Sequence, residues 1–172
     1  MAQTPQTPLF AFTSPDAAEA WQAVNDGVMG GVSDGRFRIT RAQTLEFYGT
    51  LSLENNGGFA SVRSRPRTLG LQTGDTLLAR VRGDGREYQL NLYMSGRRTA
   101  FSYRAPVKTR AGEWIEVATP LDRFEATSFG EVLRRAGPVD AQGVTSIGFL
   151  LADKNPGPFV LEVAWINVIS GR

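Results

Sequence analysis

The amino-acid sequence predicts an all-β fold of the sandwich or barrel class. Nineteen glycines and nine prolines interrupt the 172-residue chain, and turn residues at such intervals separate short strands. Between them, apolar and polar residues alternate with the two-residue period of strands that are buried on one face. Helical periodicity is restricted to a few short segments. The length favours one domain, because a chain of this size buries enough surface for a single core.

The alternation defines eight strands along the chain. They are predicted at residues 45–53, 59–63, 77–82, 88–95, 100–104, 114–118, 147–151 and 159–169. In the strand 88–95, Leu90 and Leu92 belong to an apolar face, whereas Gln89, Asn91 and Tyr93 alternate onto the opposite face. This strand is therefore predicted to cover the core with one face and to present polar groups on the other.

Turn and helix signals connect these strands. Arg-Gly-Asp-Gly-Arg at 82–86 is predicted to be a tight hairpin connection, and residues 96–98 are predicted to join the next pair of strands. Helix is limited to short turns: one follows the capping sequence 14–16, and a second is predicted within 129–136. A flexible segment over residues 1–8 precedes one domain that is predicted to cover residues 9–170.

The composition excludes several kinds of chemistry. The chain has no histidine and no cysteine, so it lacks an imidazole base, a Ser-His-Asp triad, a thiolate nucleophile, a disulfide and histidine- or cysteine-ligated metals. No motif places carboxylates or a lysine for catalysis, and the chain is predicted not to be an enzyme. Nineteen basic and 17 acidic residues give a formal charge of +2, which is too balanced for binding that is driven by nucleic-acid phosphates.

Arginines that fall close together in the sequence are predicted to be solvated rather than to bind nucleic acid. They are Arg80, Arg82, Arg86, Arg97, Arg98 and Arg104.

The first twelve residues have no basic segment and no long apolar run, so neither a signal peptide nor a membrane span is predicted. Together with the absence of cysteine, this pattern predicts a cytoplasmic protein.

Three segments with distinctive sequences give a more specific indication. The first runs from Trp21 to Ser33 and contains Asn-Asp-Gly-Val-Met-Gly-Gly. The second, 47–63, contains Glu-Asn-Asn-Gly-Gly, and the third, 146–166, contains Ala-Asp-Lys-Asn-Pro-Gly. With these segments in this order, the chain resembles the family of complex I intermediate-associated protein 30, CIA30. The resemblance extends from about residue 10 to residue 169.

This resemblance implies a galactose-binding-like jelly roll, in which two antiparallel sheets face each other. Members of the family in mitochondria act as assembly factors for respiratory complex I and hold intermediates without catalysing a reaction. Other members are fused to dinucleotide-binding domains, but this chain has no Gly-x-Gly-x-x-Gly segment after a strand. A short, stand-alone version of the family suggests a bacterial relative.

The loops of the three segments are candidates for contacts with a protein partner, including subunits of a respiratory complex. The candidate residues are Asn25, Asp26, Met29, Glu54, Asn55, Asn56, Asp153 and Lys154. The alternative for each loop is a compact turn, since Asn, Asp and Gly favour tight turns and carboxylates cap backbone N–H groups. A calcium ion among the acidic side chains is a third interpretation, but no EF-hand spacing supports it. No metal and no cofactor is therefore predicted.

The polar face of the middle strand is a second candidate site. Gln89, Asn91 and Tyr93 lie on it, and Ser61 and Arg63 belong to a strand that can lie beside it. Amides, a guanidinium and an aromatic ring on one sheet are the groups that bind sugar hydroxyls, which makes a saccharide the alternative to a protein partner. A solvated outer face is the other interpretation. The sequence therefore predicts a non-catalytic binding or assembly module, with a carbohydrate- or small-ligand-binding module as the alternative.

Overall fold

The structure, a computed structural model, describes residues 4–96 and 101–171. The strands are β1 Gln6–Ala11, β2 Trp21–Ala23, β3 Asp34–Ile39, β4 Leu45–Leu51, β5 Ala60–Ser64, β6 Thr76–Arg82, β7 Glu87–Met94, β8 Phe101–Lys108, β9 Trp114–Pro120, β10 Glu125–Ser128, β11 Glu131–Val132, β12 Val144–Leu151 and β13 Gly157–Ile169. Short 3-10 turns cover Ala17–Ala20, Asp26–Met29, Glu54–Asn56, Leu121–Arg123 and Ala141–Gly143. Among the described residues, no helix is long and apolar enough to span a membrane.

Two antiparallel sheets enclose one core. The six-stranded sheet has the order β3-β4-β13-β6-β9, and β1 pairs with the far half of β13. The seven-stranded sheet has the order β11-β10-β8-β7-β12-β5-β2. Most strands that are neighbours in a sheet are not consecutive in the chain, so the chain crosses repeatedly from one sheet to the other. This arrangement confirms the predicted jelly-roll sandwich.

Apolar side chains of both sheets fill the space between them. Phe47 of β4 and Phe159 of β13 make an edge-to-face contact with ring centroids 4.9 Å apart. Tyr88 of β7 packs against Phe47 from the other sheet at 6.4 Å, and all three rings are buried. Such contacts contribute about 0.5–1.5 kcal/mol each beyond the burial of area. Burial of the alternating apolar positions thus holds the sheets together.

The eight strands predicted from alternation are all present, with ends that differ by a few residues. The short turn after residues 14–16 is confirmed at Ala17–Ala20. The predicted partner of strand 88–95 is β8, which pairs with β7. Residues 97 and 98 of the predicted connection, and residue 100 of the predicted strand, lie outside the described residues.

Three expectations differ from the structure. The helical turn expected within 129–136 is wrong, because β10 and β11 form a hairpin there. The segment 82–86 is not a hairpin connection, because it leads from β6 in one sheet to β7 in the other. Strand β1 begins at Gln6, inside the segment expected to be flexible, because its backbone pairs with β13 from Gln6 to Ala11.

Candidate functional site

The loops of the three distinctive segments meet at one end of the sandwich. Connections 24–33, 52–59 and 152–156 each join a strand of one sheet to a strand of the other, as does 83–86. The strand pairings place Leu51 opposite Gly157 in the six-stranded sheet and Ala60 opposite Leu151 in the seven-stranded sheet, at this same end. The end loops therefore close the sandwich.

Asp26 is the centre of the first end loop and has no solvent exposure. Its carboxylate accepts hydrogen bonds from the Ser33 hydroxyl at 2.6 Å and the Ser33 N–H at 3.0 Å. The N–H groups of Gly58 and Phe59 donate to it at 2.7 and 3.3 Å. Burial raises the pKa of Asp26, but these hydrogen bonds together lower it by a larger amount. The pKa therefore lies below its usual value. Asp26 therefore joins two end loops from inside the protein.

Two glycines give the backbone room to approach this carboxylate. A Cβ atom on Gly31 would lie 2.4 Å from the Asp26 Cγ, and one on Gly57 would lie 2.5 Å from an Asp26 oxygen. Neither glycine has a left-handed φ, so the requirement is for space rather than for backbone conformation. The glycine pairs of the sequence segments thus serve the packing around Asp26.

An ion pair between Arg86 and Asp153 connects two other end loops. The Arg86 Nε and Nη2 donate to the two Asp153 oxygens at 2.9 and 2.7 Å. Arg86 also donates to the backbone carbonyls of Asn155, Gly157 and Pro158. Its side chain is 11% exposed, so the prediction of a solvated arginine is wrong here, because a bidentate partner compensates its burial.

The other predicted loop residues have different environments. Asn25 is part-buried and donates to the Gly35 carbonyl at 2.9 Å, whereas the exposed residues of this group are Glu54, Asn55, Asn56 and Lys154. The side chain of Met29 lies outside what the structure describes. Asp26 and Asp153 belong to separate networks, and no group of three carboxylates close enough to share a cation occurs in 4–96 or 101–171. Partner binding by the exposed loop residues stays a prediction.

The predicted polar face does exist on the outer side of the seven-stranded sheet. Strand pairing places Arg63 of β5, Gly148 of β12 and Asn91 of β7 in one row, and Arg104 of β8 continues it. We call the side chains on this side of the sheet the polar face. Its described members include Ser61, Arg63, Gln89, Asn91, Tyr93, Ser102, Arg104, Thr127, Ser146 and Leu150.

Most of these side chains are far less accessible than those of an ordinary solvated sheet face. Asn91 and Ser61 have no exposure, and Arg63 is only 9% exposed. Arg63 extends over the row position of Gly148, which has no side chain, and its Cζ lies 4.4 Å from the centre of the Tyr93 ring. The polar face is thus a packed layer in which the arginine covers the aromatic ring.

Three groups on the polar face are not fully compensated. The Asn91 amide donates to the Tyr93 hydroxyl at 3.0 Å, but its buried oxygen has no hydrogen-bond partner. Neither Arg63 nor Arg104 has a carboxylate within salt-bridge distance in the part of the chain that the structure describes. Burial lowers the pKa of Arg104, and the positive charge of Arg63 lowers it further. The row is therefore short of negative charge and of one polar partner.

Arginines on the outer side of the six-stranded sheet contrast with this row. Arg36 pairs with Asp34, Arg38 with Glu46, and Arg82 with Glu162, at distances of 2.6 to 3.0 Å. These pairs occur on more exposed side chains, where water already stabilises the charge. Arg63 is buried, so the absence of a carboxylate partner costs more there than it would on an exposed side chain.

Sequence reasoning placed five members of the polar face correctly on one side of a sheet and missed Arg104 and Gly148. Arg104 was counted among solvated arginines, although alternation in 101–108 places it on the opposite face from the buried Tyr103. Continuing the alternation across the strand pair would have found it. Gly148 gives no local signal, since its role depends on the neighbouring strand.

The fold defines the class of the protein: it is a jelly-roll β-sandwich of the carbohydrate-binding-module type. A family 11 carbohydrate-binding module from Clostridium thermocellum, solved with a β-1,3-1,4-mixed-linked tetrasaccharide, superposes with a TM-score of 0.66 and 13% identity, covering 99% of this chain and 98% of that one. A family 29 module variant gives a TM-score of 0.54 with 12% identity over 97% of this chain and 92% of that module. At these identities the similarity establishes the fold alone.

The family is established by sequence. Residues 10–163 match the model of complex I intermediate-associated protein 30 (CIA30), and the chain belongs to this family. The Mus musculus protein of that name is 30% identical over 94% of this chain, and the Drosophila melanogaster protein is 28% identical over 93%. The chain spans 56% and 62% of the length of these two relatives.

The relatives correct one expectation. They are named as mitochondrial proteins, which contradicts the prediction of a cytoplasmic protein and gives no support to a bacterial one. That prediction used only the composition and the first residues of the chain, and such features do not identify a compartment.

Proposed function

We propose that this chain is a non-catalytic assembly module that holds a protein partner, and that the partner is an assembly intermediate of a respiratory complex. Its family and the names of its relatives support the assembly role. The observation that carries the protein-binding part is an exposed aromatic side chain at the edge of the polar face, next to an unpaired arginine. Aromatic and arginine side chains dominate the energetics of protein interfaces.

The aromatic residue is Phe129, in the two-residue connection between β10 and β11. Phe129 and Gly130 have φ angles of +50° and +82°, the geometry of a type I′ hairpin turn, which favours Asn or Gly at both positions. Phe129 is 72% exposed, so burial does not compensate its backbone conformation. A Cβ atom on Gly130 would lie 4.0 Å from an Arg104 terminal nitrogen, which places the hairpin beside the polar face.

Replacement of Phe129 is expected to have opposite effects on the stability of the protein and on its binding to the partner. We expect Phe129→Asn to stabilise the protein by about 0.5–1 kcal/mol, because Asn accepts the left-handed conformation more readily. The same variant is expected to weaken recovery of the partner several-fold, because it removes an aromatic contact. Urea unfolding and affinity recovery measure the two effects, and Val132→Thr in the adjacent strand serves as a control. A Phe129→Asn variant that gains stability and keeps full recovery would argue against this contact.

Carbohydrate binding is the second candidate, since solved modules with this fold include one in complex with a tetrasaccharide. Sugar rings stack on exposed aromatic faces in addition to their hydrogen bonds. On the polar face, Tyr93 is 9% exposed and lies under the Arg63 guanidinium. An aromatic ring that is covered in this way favours the protein partner over the saccharide.

The proposal is tested by deletion and by affinity purification from the source organism. We expect deletion to lower the amount of assembled respiratory complex I on native gels, and the tagged chain to recover subunits of that complex. The matched control is the tagged Arg41→Gln variant. Arg41 is exposed and lies in the connection between β3 and β4 of the other sheet. Normal assembly after deletion, together with no recovered subunit, would overturn the proposed function.

A further inference from the structure

The row formed by Arg63, Asn91 and Arg104 is costly for the folded protein. A buried amide oxygen without a donor destabilises a fold, and a buried guanidinium without a counter-ion does so as well. The nearest alternative partners do not resolve this deficit. The Arg63 Nε donates to Ser61 at 3.2 Å, and the Arg104 Nε to Ser102 at the long distance of 3.4 Å. Among the described residues, the terminal guanidinium nitrogens of both arginines donate no hydrogen bond, and the Arg63 guanidinium has only the Tyr93 ring as a further contact.

The orientation of the Asn91 amide fits an acceptor ligand. The Tyr93 hydroxyl can donate as well as accept, so Asn91 keeps its bond to Tyr93 in either orientation of the amide. With the Asn91 oxygen turned to Tyr93, the NH₂ group faces the uncompensated side. The row then has two guanidinium groups and one buried amide N–H as donors, and a carboxylate is the acceptor that matches the planar guanidinium fork.

We infer that the guanidinium groups of Arg63 and Arg104, on either side of the buried Asn91 in this row, bind a carboxylate group on an acidic segment of the protein partner. This inference rests on the proposed function and names the chemistry by which the partner is recognised. Charge complementarity supports it, because the described part of the row has two guanidinium groups and no paired carboxylate. Phe129 is exposed in the turn whose Gly130 approaches Arg104, so it can contact an apolar side chain next to the acidic one.

Binding is tested on the full chain with defined probes. The probes are a capped peptide Glu-Leu-Glu, its Gln-Leu-Gln counterpart, inorganic phosphate and the mixed-linked tetrasaccharide. Their binding is followed by NMR of the arginine Nε–H and asparagine side-chain amide groups. We expect the acidic peptide to shift the signals of Arg63, Asn91 and Arg104, and its affinity to fall as salt is added.

Variants identify the residues involved. We expect Arg63→Gln and Arg104→Gln each to weaken the acidic peptide at least tenfold, and Arg41→Gln to leave its affinity unchanged. Equal binding of the glutamine peptide would overturn the inference, as would binding of phosphate or the tetrasaccharide without the acidic peptide. If the acidic peptide fails while complex I subunits still co-purify, the inference fails and the proposed function stands. If the acidic peptide binds but no complex I subunit co-purifies, the carboxylate site stands and the proposed function fails.

An internal carboxylate provides an independent test. We expect Asn91→Asp to raise the melting temperature at pH 7 by roughly 3 °C, because the new carboxylate lies among the unpaired guanidinium groups. The same variant is expected to lose binding of the acidic peptide. The gain requires the new carboxyl to be ionised, so we expect it to disappear as the pH falls and the carboxyl takes up a proton. A variant that is less stable than Asn91→Ala, or that binds the peptide normally, would contradict the inference.

Discussion

Substitution Arg86→Met is expected to destabilise the protein by about 3–5 kcal/mol, the range observed when one partner of a buried ion pair is removed. The change leaves Asp153 without its bidentate partner, and it leaves the carbonyls of Gly157 and Pro158 without a donor. Burial raises the pKa of Asp153, but the hydrogen bonds from Arg86 and the Asn155 N–H and the positive charge of Arg86 together lower it by more, so the pKa lies below its usual value. Removal of Arg86 therefore takes away the main stabilisation of the charged form while the carboxyl group stays mostly buried.

Urea unfolding at pH 7 measures this effect, and an exposed ion pair supplies the control. Arg36 and Asp34 lie 2.9 Å apart, but their side chains are 64% and 54% exposed. We expect Arg36→Met to leave the free energy of unfolding close to that of the natural protein, because water screens this exposed pair. The double change Arg86→Met with Asp153→Leu should recover part of the loss, because no charge is then left buried. If Arg86→Met and Arg36→Met lower the free energy of unfolding equally, the Arg86 network does not stabilise the contact between the end loops.

The difference between the predicted and the observed environment of Arg86 illustrates what local sequence can predict. Alternation identified the strands on both sides of it, because burial of one face imposes a period of two on the chain. The Gly-Asp-Gly sequence beside it correctly indicated a sharp change of direction. However, glycine and aspartate serve turns within a sheet and crossings between sheets equally well. The sequence therefore did not show that β6 and β7 belong to different sheets, or that Arg86 would become buried.

Short and peripheral strands were missed for a related reason. Strand β2 has three residues and β11 has two, which is too few for a periodic pattern. Strand β10, Glu125–Ser128, consists mostly of small side chains that differ little in polarity. These strands form because their backbone groups pair with longer neighbours, so their signal lies in the tertiary structure and not in the segment itself.

The candidate site shows the same division between local and tertiary information. The face shared by Gln89, Asn91 and Tyr93 follows directly from alternation along one strand. The juxtaposition of Arg63 with Tyr93 depends on β12, which lies between their strands and offers Gly148 at the crossing point. Asp26 shows the converse: its segment predicted either a partner-binding loop or a compact turn capped by a carboxylate, and the carboxylate faces inward and accepts from backbone N–H groups of two loops.

Substitution Asp26→Asn is expected to cost about 2–4 kcal/mol, because it disrupts several hydrogen bonds to one buried, charged acceptor. Both Asp26 oxygens accept hydrogen bonds, one from the Ser33 N–H and the other from the Ser33 hydroxyl and the Gly58 N–H. An asparagine offers one oxygen and places an NH₂ group against the remaining donors. The loss therefore includes a repulsive contact as well as a missing charge.

The pH dependence of stability has a definite sign at this residue. The pKa of Asp26 is lower in the folded protein than its usual value of 3.8. Its contribution is therefore complete above about pH 4 and is lost as pH falls through the lowered folded-state pKa. Urea unfolding between pH 7 and pH 3 should show a smaller difference between Asp26→Asn and the natural protein at the acid end.

Glu54→Gln is the matched control for Asp26→Asn, since Glu54 lies exposed in a neighbouring end loop. We expect this control to change stability by no more than about 0.5 kcal/mol. The pair of variants also separates a structural role of Asp26 from a role in partner binding. If Asp26→Asn unfolds at the same urea concentration as the natural protein and yet fails to recover the partner, Asp26 contacts the partner directly. If it is destabilised as expected and the folded fraction still binds, the carboxylate serves to hold the end loops together.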